Sequence, residues 1–63
     1  MKLKKKQVYK SWIIAENVKP EDEYEPKFQV FKKDEWEMGE GYRCAEFDDC
    51  GSIQECIDNI DSY

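Results

Sequence analysis

The chain has 63 residues, with 15 Asp and Glu against ten Lys and Arg, a formal net charge of −5 and no histidine. That length allows one domain at most, burying only about 60% of its unfolded surface, and such small scaffolds usually need a staple or a partner. The lack of His removes the commonest general base, so catalysis is disfavoured and a non-enzymatic role is expected.

The charge is segregated. Lys2, Lys4, Lys5, Lys6 and Lys10 give the first ten positions +5 with no acid, and the other 53 residues sum to −10. Such polarity bears on partners rather than on catalysis. A 40% charged composition pulls towards disorder. Nine aromatics in strand-like segments pull the other way, and a folded domain is expected.

Residues 1–6 read as a solvated basic lead-in, and residues 7–63 as a single small domain. From Gln7 to Val18 the composition is β-like and reads as one strand. One face would carry Val8, Lys10, Trp12 and Ile14, the other Tyr9, Ser11, Ile13 and Ala15. Apolar residues on both faces imply cover on both sides or contact with another chain. Lys19 to Lys27 is a loop, in which Pro20 and Pro26 bracket Glu21, Asp22, Glu23 and Glu25. Phe28 to Lys33 is a second strand, antiparallel to the first. Asp34 to Gly41 is ambiguous: it admits a single helical turn through Met38 with Asp34 as its cap and Gly39 or Gly41 as its stop. Tyr42 to Phe47 is a third strand.

The clearest local signal comes last. Ser52 and Glu55 have the spacing of a capping box, with the carboxylate expected to reach the N–H of Ser52. Ile53, Cys56, Ile57 and Ile60 recur at i, i+3, i+4 and i+7, one apolar stripe. A helix of about ten residues is marginal alone in water and must dock on the sheet. The expected fold is α+β: a three-stranded antiparallel sheet with one C-terminal helix packed on one face.

Three cysteines, Cys44, Cys50 and Cys56, are an odd count. With no apolar run of signal length behind the lysines, the compartment reads as reducing and cytoplasmic, and the thiols as free. No stretch approaches the ~18 apolar residues of a membrane span. The cysteine spacing lacks the close ligand pairs of structural zinc, and Cys56 is explained by core packing. Asp48 and Asp49 fit a solvated turn better than a calcium loop. No cofactor and no metal site is expected.

Three surfaces stand out. Lys2, Lys4, Lys5 and Lys6 form a basic strip that could touch phosphates, but the acidic remainder argues against nucleic acid. Glu21, Asp22, Glu23, Glu25, Glu35 and Glu37 form an acidic patch. Trp12, Ile14, Tyr24, Trp36 and Tyr42 are candidate interface residues, since Trp and Tyr are enriched in binding hot spots. Free strand edges and the two-faced apolar pattern of the first strand make it a candidate contact for an antiparallel homodimer.

Phe47-Asp48 followed by Ser52-Ile53-Gln54-Glu55-Cys56-Ile57-Asp58 resembles a pattern in many short phage and bacterial proteins. There a sheet ends in a Phe-Asp-Ser turn and a capped helix follows. The resemblance covers roughly residues 42–61 and departs from the pattern by inserting Asp49, Cys50 and Gly51 before the serine. It implies a small sheet-plus-helix fold and no defined activity. Tiny acidic phage proteins include inhibitors of host defence such as anti-CRISPR proteins, an analogy from size and charge. The expected function is therefore an acidic binding module, inhibitory in the phage version, for a protein partner with a basic surface. The alternative is a nucleic-acid-associated accessory protein using the lysine strip.

Overall fold

The expected first strand is two strands, because the chain reverses at Lys10 and Ser11. Both residues have positive φ, 49° and 67°, the backbone of the tight two-residue turn that suits the right-handed twist of a hairpin. The computed structural model describes residues 2–63, so Met1 of the expected lead-in lies outside the described residues. Strand β1 (Leu3–Tyr9) pairs antiparallel with β2 (Trp12–Asn17), closing at Tyr9 and Trp12. Leu3 to Lys6 thus belong to a strand rather than a lead-in, with Lys4, Lys5 and Lys6 still solvated and Leu3 partly buried. The reversal also changes the faces: Tyr9 now lies opposite Trp12, and Val8 opposite Ile13.

Strand β3 (Phe28–Lys32) pairs antiparallel with β2 across the proline-bracketed loop. Helix α1 (Lys33–Met38) follows directly, then a 3-10 turn at Glu40–Tyr42. Gly39 separates them at φ 119°, a conformation L side chains rarely adopt. The next strand, β4, is Phe47–Cys50 rather than Tyr42–Phe47. It pairs antiparallel with β3 and makes a four-stranded sheet of order β1-β2-β3-β4, not a three-stranded one. Helix α2 (Ile53–Asp61) closes the fold.

Each edge strand carries a bulge. Lys5 faces Ala15 and Gln7 faces Ile14, so Lys6 is an extra residue in β1. Phe28 faces Cys50 and Val30 faces Phe47, so Asp48 and Asp49 together oppose Gln29. The bulge explains how Phe47 and Cys50, three apart, can both join the core on one side of the sheet. Asp48 and Asp49 are exposed, as a turn would leave them, but they sit within β4.

The sheet is covered on both faces by its own chain. On one side Ile14, Phe28, Val30 and Cys50 meet Cys56 and Ile60 of α2, with Ile53 and Ile57 packed around them. The apolar stripe therefore docks as its spacing implied. On the other side Ile13, Ala15 and Phe31 are buried with Leu3, Trp36 and Ala45 packed against them. The two-faced apolar pattern is thus satisfied within one molecule.

The cap of α2 holds with one difference. The Ser52 hydroxyl accepts from the Glu55 N–H at 3.1 Å, but the Glu55 carboxylate accepts from the Gly51 N–H at 2.9 Å, one residue before the expected donor. Helix α1 has no side-chain cap, since Asp34 lies inside it and accepts from the Glu35 N–H instead. At the far end of α2, Asp61 accepts from the Tyr9 hydroxyl at 3.0 and 3.1 Å and from Lys10 Nζ at 2.8 Å. The hairpin turn thus supplies the cation that a helix C-terminus favours.

Candidate protein-binding surface

Trp36 is the pivot of the α1 side. Its ring lies 5.3 Å from that of Phe31, which fixes α1 to the buried face of β3. The Arg43 guanidinium stacks on the same ring at 3.6 Å, and Arg43 Nε donates to the Trp36 carbonyl at 3.2 Å. Stacking of this kind adds about 0.5–2 kcal/mol. Trp36 is half-buried and therefore an anchor rather than a free interface residue. Sequence reading missed Arg43, whose partner lies seven residues away and across two glycines.

The anchored segment holds out two apolar side chains. Met38 is 60% exposed and Tyr42 is 64% exposed. Glu37 and Glu40 are exposed beside them in sequence, and Glu35 is half-buried. The 3-10 turn is fixed by Tyr42 N–H donating to the Gly39 carbonyl at 3.1 Å. Tyr42 and Glu37 thus remain surface candidates, while Met38 and Glu40 join them from outside the original set.

The loop after β2 is a second acidic site. Asn17, buried at the end of β2, holds it: Nδ2 donates to Glu25 Oε1 at 2.9 Å and to the Pro26 carbonyl at 3.3 Å. Asp22 Oδ1 accepts from the Tyr24 N–H at 2.8 Å. Glu21, Asp22 and Glu23 are exposed, Glu25 is half-buried, and Tyr24 is 87% exposed. The signal for Asn17 in the sequence was a polar residue ending a β-rich run before a proline loop.

One candidate, Ile14, is corrected by burial, and a second, Trp12, is partly covered. Ile14 is fully buried in the core under α2. Trp12 packs on the same core, its ring 6.1 Å from Phe47 and 5.2 Å from Tyr63. The Tyr63 hydroxyl donates to Glu46 at 3.0 Å, which raises the phenol's pKa. Ile14 has no surface to offer a second copy, whereas Trp12 is half-buried and keeps part of its ring in water.

The cysteines divide by burial. Cys50 and Cys56 are buried in the α2 core, and Cys44 is exposed. Burial, reinforced by the neighbouring Cys50 thiol, pushes the Cys56 thiol up to about 12, so it stays protonated and inert. Asn59 Nδ2 donates to Cys50 Sγ at 3.4 Å. All three thiols are free. Among the described residues no group of three His, Cys, Asp or Glu side chains could hold a metal ion, and no helix is long and apolar enough to cross a membrane.

The basic strip lies at the opposite edge of the sheet from the Asp48–Asp49 bulge. Lys4, Lys5 and Lys6 are exposed on β1, and Lys6 pairs with Glu16 at 3.3 Å. Lys2 lines a cleft of about 510 Å³ together with Lys19, Pro20 and Glu21. No family model matches the sequence, and neither a curated protein nor a solved structure matches it significantly.

Proposed function

We propose that the protein is a small non-enzymatic binding module whose acidic surface engages a basic site on a larger protein. The observation that carries this reading is the segment Lys33–Tyr42. It holds Met38 and Tyr42 out in water on a base fixed by the Phe31–Trp36–Arg43 stack, with Glu37 and Glu40 exposed around them. Met and Tyr are enriched in interfaces. A rigid support lowers the ordering cost of binding, and the surrounding carboxylates steer a basic partner and reject an acidic one. Blocking that partner's basic site, as tiny acidic phage inhibitors do, is the output we assign to it.

The test is capture from a host lysate by the parent chain and two variants, Met38→Ala with Tyr42→Ala and Glu37→Lys with Glu40→Lys. A basic protein held by the parent and lost by both variants supports the reading. If every captured protein is retained equally by both variants, the surface is not the binding site.

A further inference from the structure

We propose that β1 is a docking edge for an extended acidic segment of another protein, which adds to the sheet as a fifth strand. Strand β1 is terminal in the sheet order, so alternate backbone N–H and C=O groups along its far side point away from the sheet. It has seven residues, against four in β4 at the other edge. Both helices pack on β2 and β3, and the five residues from Lys4 to Val8 all remain exposed. Val8 is 48% exposed, beside the buried Ile13 that it faces.

Charge selects the occupant. Lys2, Lys4, Lys5 and Lys6 run along this edge, and Lys6 is drawn to Glu16. Lys19 joins Lys2 at a cleft that Glu21 also lines. A second copy of β1 laid antiparallel about the strand centre would crowd Lys4, Lys5 and Lys6 of both strands into one seam, and like charges across a sheet destabilise it. Lysines alone give a nucleic acid phosphate contacts without base readout, which draws on arginine forks and, in single strands, on exposed aromatic faces. This strand has no Arg, and its one aromatic, Tyr9, is tied to Asp61. An acidic strand meets neither obstacle. Its backbone completes the ladder, as in known modes of strand addition, and its carboxylates lie against Lys4 and Lys5. The bulge at Lys6 interrupts the register, so the added strand pairs on either side of it rather than continuously.

The probe is a short fluorescent peptide of Glu-Glu-Val-Val repeats, which carries Glu on both faces of an extended strand, as Lys4 and Lys5 require, titrated against the full chain. Binding is expected to weaken about tenfold or more as exposed charges are screened by salt, and to be lost in Lys4→Glu with Lys5→Glu. Peptides N-methylated on one or the other alternate set of residues separate strand addition from charge alone. One set should abolish binding and the other leave it. Amides of β1 should gain hydrogen-exchange protection in the complex, and Met38→Ala with Tyr42→Ala should leave peptide binding unchanged. The proposal is overturned by no binding of the peptide, by equal binding of both N-methylated peptides, by tighter binding of a DNA duplex of matched charge, or by self-association through β1 that displaces the peptide.

Discussion

The two faces of the sheet are covered by different means. On one face α2 buries Cys56 and Ile60 among Ile14, Phe28, Val30 and Cys50, so one continuous apolar stripe does the work. On the other, α1 buries no residue of its own and has no side-chain cap. It is held by one half-buried indole between Phe31 and Arg43. The difference separates two jobs that a 63-residue chain must share. The α2 face supplies stability, and the α1 face supplies a fixed but lightly held support from which Met38, Tyr42 and the glutamates project.

Substitutions on the two sides should therefore differ in kind as well as in size. Ile60→Asp puts a carboxylate into the α2 core, where it has no partner. A domain of this size holds only about 3–5 kcal/mol, so cooperative thermal unfolding should be lost. Retention of the parental melting curve would mean that the stripe does not face the core. Trp36→Ala should cost less, roughly 2 kcal/mol, as half-burial and one cation–π contact would give. The loss should be local: near-ultraviolet circular dichroism changes, while α2 keeps its amide protection. Equal loss of protection in both helices would merge the two faces into one unit.

Smaller effects sharpen the picture. Ser52→Ala removes the acceptor for the Glu55 N–H and should cost about 1 kcal/mol in denaturant. The same measurement on Asp34→Ala should show far less, because Asp34 is not at a cap position. Smallest is the tether at Asp61. Hydrogen bonds from Lys10 and then Tyr9 hold its carboxyl below the ordinary value. A depressed carboxylate contributes stability at neutral pH that is lost as pH falls through its folded pKa. The melting temperature should fall in that acidic range, and Asp61→Asn should flatten this part of the profile.

The α2 side was legible in the sequence because its signals are local: Ser52 and Glu55 are three apart, and the stripe repeats within one helix. The hairpin was not. A two-residue turn of this type favours Asn-Gly or Asp-Gly, whereas Lys10-Ser11 carries the positive φ without that signature. Strand β4 was displaced because Asp48 and Asp49 are poor strand residues, and only the bulge lets Phe47 and Cys50 share a face. The candidate surface divides in the same way. Exposure of Tyr24 and Tyr42 agreed with their polar neighbours. Ile14 read as an interface residue because a sequence does not show which apolar side chains its own chain will cover, and the same chain half-covers Trp12 and Trp36. Pairs such as Tyr9 with Asp61, 52 residues apart, are products of the fold alone.

The separation of a firmly packed α2 face from a lightly held α1 face is tested most directly by native-state hydrogen exchange across the whole chain. Such exchange resolves local openings from global unfolding. Amides of Lys33–Tyr42 should exchange through an opening of lower free energy than those of β2, β3 and α2, with little dependence on denaturant. Exchange of both helices at the single free energy of global unfolding would contradict the account.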